Sequence, residues 1–411
     1  MGCCGSQTTG INIEDIFNKK NQYIDDNNSI NESNENNNKK NINKKNEINL
    51  QQKKKNENKP NNYIQNNVSS NNSKNDTNKK WKKLSSIRNE TNNVDNKIKL
   101  FGLKNRKFDC YLNSSLQVFF HLKDFNEKIK NLEKEFKDKE LINKYLKLIK
   151  EIDSIKRNNI ILDPKDIKEI FCKIEEKYTY GNQQDANEFI SLFLNQMKEE
   201  VKLVNGKQLE KTIIPENKTE EEAFIKLENK FFKKYNSFLI EFFYGRLKKE
   251  ILCPKDKEVI KVNFQVFNMI ELLDSSYNTI NKLLENYQVE KKIDTKIKIK
   301  CRFCKKEYNN YYSKTTIYNL PYYLILYLVN PINNFYEYTI EANKICEKQN
   351  NEQYELISSI SYYGNYKNGH YFAKCKDMSN NEWYEFNDEH WDKIKGLEIN
   401  QNDIILFYKK I

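Results

Sequence analysis

Between residues 105 and 122 the chain reads N-R-K-F-D-C-Y-L-N-S-S-L-Q-V-F-F-H-L, with Leu112, Leu116, Phe119 and Phe120 at i, i+4, i+7 and i+8. That spacing puts apolar side chains on one face of a helix; it predicts a helix starting at Cys110, with Asp109 as the cap. Residues 123–160 alternate Lys and Glu with Leu, Ile and Phe at helical spacing, which predicts amphipathic helices with their charges toward water. Another helix is expected near 180–194, where Phe189, Leu192 and Phe193 form an apolar face behind the polar start Gln183-Gln184-Asp185. From Ser237 the pattern turns to strands, expected at 238–245, 246–252, 260–269 and 293–300. The C-terminal third continues with strands at 320–329, 354–362, 371–376, 383–386 and 403–408, giving an α+β fold with a mostly antiparallel sheet.

The first hundred residues lack such periodicity. Asn supplies 28 of them, and apolar residues are too scattered to bury the surface that ordering requires. Residues 1–96 are therefore expected to be a disordered tail, and 97–411 one folded unit. The net charge of +12 is unevenly placed: residues 51–100 carry 12 basic and 4 acidic side chains, whereas residues 101–411 have 52 against 47. A near-neutral folded part argues against a nucleic-acid-binding domain. Nine cysteines, odd in number and without disulfide spacing, follow no secretory signal, which fits a reducing, cytoplasmic compartment. Met1-Gly2-Cys3-Cys4-Gly5-Ser6 fits N-myristoylation at Gly2 with S-acylation at Cys3 and Cys4, and further acyl chains convert marginal membrane binding into stable anchoring. The segment Lys79-Lys80-Trp81-Lys82-Lys83-Leu84 offers charge for anionic lipid or is a solvated run. As a coil, the tail would reach roughly 50 Å from a cytosolic membrane face.

Cys110 in the first turn of a helix stands where the helix dipole favours thiolate, although most free cysteines are small buried apolar residues. A nucleophilic thiol needs a base and an orienter. His370 opens a strand and Asn387-Asp388 closes the next, so a hairpin would bring them together. His121 and His390 are more simply a structural residue and a loop residue. Cys253-Pro-Lys-Asp256 and Cys301-Arg-Phe-Cys304 follow strands on neighbouring hairpins and have the look of a zinc ribbon with one carboxylate ligand, or of a metal-free hairpin.

Four blocks resemble the ubiquitin-specific protease family of deubiquitinating cysteine proteases. Gly102-Leu103-Lys104-Asn105 with Cys110-Tyr111-Leu112-Asn113-Ser114 and Leu116-Gln117 is similar to its Cys box. Gln183-Gln184-Asp185-Ala186 with Glu188-Phe189 is similar to its helix start; Gly369-His370-Tyr371 with Trp383 and Phe386-Asn387-Asp388 resembles its His box, and 405–408 its last strand. The resemblance implies a papain-like fold of thumb (about 97–230), zinc-ribbon-like fingers (about 235–315) and palm (about 316–411). It implies ubiquitin as partner, with no catalytic cofactor and room in the fingers for a structural zinc, although Asp256 stands where the family's zinc quartet has a cysteine. Cys110 would be the nucleophile and His370 the base, Asn387 with Asp388 would hold the imidazole, and Asn105 would stabilise the oxyanion. Gln184, Asp185 and Tyr371 would meet the ubiquitin tail.

Lys107-Phe108-Asp109 departs from the family's usual Gly-Asn-Thr. A carboxylate at 109 opposes a neighbouring thiolate, although Lys107 would offset it, and lysine in place of glycine makes any positive φ costly. Those changes leave open a ubiquitin-binding scaffold of the same fold with weakened catalysis, and the sequence equally admits a protease for a ubiquitin-like modifier.

Overall fold

A computed structural model describes residues 98–156, 160–201, 220–232, 234–235, 237–273, 277, 279–330, 338–348, 351–364, 368–397 and 399–411. The expected disordered tail 1–96, its basic segment, and Gly2, Cys3 and Cys4 lie outside the described residues.

The chain opens with β1 (Phe101–Leu103), then α1 (Cys110–His121), α2 (Lys123–Asn131) and α3 (Glu140–Asp153). A short strand β2 (Ile160–Leu162) pairs in parallel with β1 and leads into α4 (Lys165–Ile174) and α5 (Ala186–Glu200). After α6 (Glu220–Leu227) and α7 (Phe238–Phe243) come β3 (Gly245–Leu252), β4 (Val259–Phe267) and β5 (Ile270–Leu272). Then follow α8 (Ile280–Tyr287), β6 (Lys291–Lys300), β7 (Glu307–Asn319), β8 (Tyr323–Leu328), β9 (Thr339–Glu341) and α9 (Ala342–Ile345). The chain finishes with β10 (Gln353–Gly364), β11 (Gly369–Asp377), β12 (Glu382–Asn387), β13 (His390–Ile394) and β14 (Asp403–Lys410).

The large sheet runs β13-β12-β11-β10-β14-β8-β5, with β9 on the end of β10, and is antiparallel except for β5 beside β8. One of its faces carries Ile360, Ala373, Cys375, Phe386 and Phe407 into a core shared with α1, α3, α4 and α5. The opposite face packs Leu324, Leu326, Leu356 and Leu406 under α8 and α9. A separate four-stranded sheet, β4-β3-β7-β6, carries the two cysteine turns at the ends of its hairpins.

Burial of α1 is more complete than its one-sided apolar pattern implies, because it is sandwiched between α5 and β11 with eleven of its twelve residues buried. Its polar residues survive there because each has a partner. Ser115 donates to the Tyr111 carbonyl at 2.6 Å, and Gln117 to the Phe101 carbonyl at 3.0 Å. His121 lies between the Gln117 and Lys99 carbonyls and stacks on Phe101, which is the structural role expected of it.

Two sequence expectations fail. Residues 238–243 are helical where a strand was expected: the apolar run is short enough to fit either element, and Ser237 occupies the N-cap while Leu239, Ile240 and Phe243 are buried. His390 begins β13, paired opposite Asn387, and is not in a loop.

Candidate active site

The site forms where the N-terminus of α1 meets the β11–β12 hairpin. Antiparallel pairing places His370 near the start of β11 beside Asn387 at the end of β12, and Asn387 Oδ1 accepts from His370 Nε2 at 2.7 Å. That bond leaves Nδ1 open to a second partner, and Cys110 is the group that acts most strongly on the imidazole. The Cys110 partner raises the His370 pKa to about 9, against the effect of burial and with help from Asn387. An imidazolium held to that pH is the counter-ion that a nucleophilic thiolate needs. Cys110 itself is 4% exposed, at the helix end where the dipole is positive.

Asp388 supports the charged ring from beside Asn387 and also ties down the cysteine segment. It is 3.8 Å from His370 Nε2, beyond hydrogen-bond reach, and in a left-handed conformation at φ 50. Its Oδ2 accepts from Asn105 Nδ2 at 2.7 Å, its Oδ1 from Asn113 Nδ2 at 2.8 Å, and its carbonyl from the Leu103 N–H at 2.7 Å. One residue of the histidine hairpin thus fixes three points of the cysteine segment. Gly102 permits that approach, because a Cβ there would run into the Glu389 backbone. Asn105 is held from its other end too, its Oδ1 accepting from the Asp109 N–H at 3.1 Å. An amide oriented by both a carboxylate and a backbone N–H is preorganised, as an oxyanion-stabilising group must be.

The departures around Cys110 have a physical resolution. Asp109 stands at the N-cap position, but among the described residues its carboxylate caps no first-turn N–H. It turns inward, 3% exposed, and pairs with Lys168 Nζ of α4 at 2.8 Å. The cation offsetting Asp109 is therefore Lys168, buried on α4, and not Lys107. Lys107 and Phe108 both take positive φ, 77 and 57, conformations that cost non-glycine residues about 1–3 kcal/mol each. Arg106 on the other side forms a forked ion pair with Asp163, its Nε at 3.0 and 3.1 Å from the two oxygens. The strained pair is thus bracketed by two ion pairs, one to Asp163 just ahead of α4 and one to Lys168 within it.

Across the cleft, Tyr371 OH donates to Asp185 Oδ1 at 3.1 Å, and Gln183 Nε2 to the Gly369 carbonyl at 3.3 Å. Asp185 is exposed at the N-cap position of α5, whereas Gln184 turns back to the Lys177 carbonyl at 2.8 Å. Sequence reasoning missed Lys168, Asn113 and the Arg106–Asp163 pair. Lys168 carried a usable signal: it lies next to Ile167 and three positions before Phe171, both fully buried, where a lysine needs a partner.

The second cluster lies at the far ends of the four-stranded sheet. One ligand atom each from Cys253, Asp256, Cys301 and Cys304 falls within 4.8 Å of all the others, and the Cys253 and Cys304 sulfurs are 3.8 Å apart. For Zn–S bonds of about 2.3 Å a tetrahedron has edges of about 3.8 Å, so the donor set fits zinc. The two turns match in backbone, Lys257 and Lys305 both taking φ 60, and Asp256 falls at the place in its turn that Cys304 holds in the other. Zinc held there would join two hairpins and play no part in the chemistry at Cys110.

Among the described residues, no helix is long and apolar enough to cross a membrane. Residues 101–408 match the family model for ubiquitin carboxyl-terminal hydrolases. A probable ubiquitin carboxyl-terminal hydrolase of Acanthamoeba polyphaga mimivirus is 24% identical over 323 residues, covering 64% of this chain and 69% of the viral protein. Ubiquitin carboxyl-terminal hydrolase Usp2 of Drosophila melanogaster is 24% identical over 355 residues, which span 80% of this chain but 36% of the fly protein. In fold, the chain is similar to a solved SAGA deubiquitinating module, Ubp8/Sgf11/Sus1/Sgf73 bound to monoubiquitin, with a TM-score of 0.61 at 20% identity. That match covers 80% of this chain and 74% of the other. The fold is the papain-like, fingers-palm-thumb type, and this chain belongs to the ubiquitin carboxyl-terminal hydrolase family of cysteine-type deubiquitinases.

Proposed function

We propose that this chain hydrolyses the isopeptide or peptide bond that follows the C-terminal glycine of ubiquitin. The observation that carries the reading is His370, held by Asn387 at 2.7 Å and acted on most strongly by Cys110, which raises its pKa. In that mechanism the Cys110 sulfur attacks the glycine carbonyl, forming a C–S bond, while Asn105 and the Cys110 backbone N–H take the negative charge of the oxygen. The C–N bond breaks as His370 passes its proton to the leaving lysine amine. Water, deprotonated by His370, then hydrolyses the thioester and frees the thiol. Asp185, held by Tyr371, supplies an exposed acid for the basic ubiquitin tail, and Gln184 flanks it. No cofactor enters any of these steps; zinc at Cys253, Asp256, Cys301 and Cys304 would be structural.

Release of a fluorophore amide from the ubiquitin C-terminus by the full chain tests the reading. Turnover is expected from the wild type, none from Cys110→Ala, and a fall of at least about 100-fold in His370→Ala. Ubiquitin binding without turnover would instead support a scaffold, and turnover of a ubiquitin-like modifier in preference to ubiquitin would move the specificity. We propose further that acylation of Gly2, Cys3 and Cys4 places this activity at a cytosolic membrane face. Incorporation of an alkyne-myristate that is lost in Gly2→Ala, together with loss of membrane sedimentation, is the expected result; unchanged sedimentation of Gly2→Ala would refute it.

A further inference from the structure

Lys168 is 1% exposed, deep in the helical half of the molecule. A buried lysine needs an anion and hydrogen-bond acceptors, and this one finds both on the segment carrying the nucleophile. Its ammonium lies 2.8 Å from Asp109 and donates to Tyr111 OH at 2.7 Å, the residues immediately before and after Cys110. The same nitrogen stands over the rings of Tyr111 and Tyr180, 4.9 and 5.5 Å from their centroids. Tyr180 leads directly into the Gln183-Gln184-Asp185 segment that faces the palm.

We propose that Lys168 is a positioning residue for the reaction: from α4 it clamps both neighbours of Cys110, neutralises Asp109 beside the thiol, and holds the left-handed Lys107–Phe108 backbone in place. This rests on the assignment of Cys110 as nucleophile. The clamp reaches the oxyanion side as well, since the Asp109 N–H it fixes is the donor that orients Asn105 at 3.1 Å. Arg106–Asp163 cannot substitute for it. That pair is about one-third exposed and lies on the far side of the two strained residues.

Around Cys110 stand Asp109, Arg106 and Tyr111 on its own segment, Lys168 and Cys172 on α4, Tyr178 and Tyr180 after it, and Tyr362, His370 and Asp388 from the palm. Removing the lysine cation alone leaves an uncompensated carboxylate next to the sulfur and disfavours the thiolate. Removing the Asp109 charge alone leaves a buried cation and favours it.

The experiment is the pH dependence of Cys110 modification in the full chain, read by peptide mass after reaction with two probes: ubiquitin carrying a C-terminal electrophile, and iodoacetamide. Lys168→Met is expected to move the midpoint for Cys110 up by about one pH unit and Asp109→Asn to move it down. At pH 7 the ubiquitin probe should react more slowly with Lys168→Met, by up to about tenfold, and Asp109→Thr/Lys168→Met should recover most of that loss. A purely structural role would slow both single variants and shift neither midpoint, which overturns the proposal, as would a Lys168→Met variant with wild-type rate and midpoint. If Lys168→Met does not fold, Asp109→Asn and the double variant still decide the matter by the direction of their midpoints. If the wild type ignores the ubiquitin probe while the iodoacetamide midpoints shift as stated, the clamp stands and the proposed function falls.

Discussion

Two cysteine sites in this protein each contain an aspartate where the family resemblance leads one to expect an uncharged or thiol residue. Asp109, beside Cys110, is buried; Asp256, beside Cys253, is exposed. Burial decides what each acid requires. A carboxylate withdrawn from water near a thiol must be matched by a fixed protein cation, and Lys168 supplies it at 2.8 Å. A carboxylate at the surface can stay solvated, free to converge with three thiols on a metal that arrives from outside. The same substitution in type is therefore a constraint on folding in one place and a choice of ligand in the other.

The sharpest way to break that contrast is to delete each acid. Asp109→Ala leaves Lys168 buried without its anion and is expected to lower unfolding free energy by about 3–5 kcal/mol in denaturant titrations. Asp256→Ala in metal-free protein should change it by no more than about 0.5 kcal/mol. Equal losses at the two positions would remove the distinction.

Metal dependence comes next in size. Chelation should lower the melting temperature, corresponding to about 3 kcal/mol if zinc had been present at a hundredfold excess over its Kd, and Asp256→Cys should make the zinc harder to strip. No response to chelator in either form would mean that the hairpins hold together without metal. Neither treatment should alter the pH dependence at Cys110.

That dependence has a basic limb set by His370, whose pKa is raised to about 9 by the Cys110 thiolate. The group's raised pKa means the imidazolium is fully present below the ordinary histidine range and is lost as pH rises through about 9. Turnover, which needs His370 to protonate the leaving amine, should fall about tenfold per pH unit above that value. A fall centred near 6.5 would show the imidazole uncoupled from the thiol. The smallest expected effect is at the strained loop: Lys107→Gly, which relieves φ 77, should stabilise the protein by about 1 kcal/mol or less.

Cys110, His370 and Asn387 were legible in the sequence because each sits at an element boundary that periodicity reveals, and pairing of consecutive strands then joins two of them. The helix at 238–243 was not legible, since five apolar residues around one glutamate fit a buried strand or a buried helix equally until their neighbours are known. Lys168 and the second task of Asp388 escaped for a different reason. Their partners lie far away in sequence, Asn105 and Asp388 being 283 positions apart, and no local pattern encodes which surfaces of α4 and the β12 end will face the cysteine segment. Asp109 shows the limit most clearly: its residue type and place predicted a cap, and tertiary burial turned the same carboxylate toward a lysine 59 positions on.

The most direct test of the account is covalent reaction of the full chain with ubiquitin bearing a C-terminal electrophile, followed by intact mass and peptide mapping. The account predicts a single adduct on Cys110, absent in Cys110→Ala and formed at least about 100-fold more slowly in His370→Ala. No adduct, an adduct on another cysteine, or an unchanged rate in His370→Ala would contradict it.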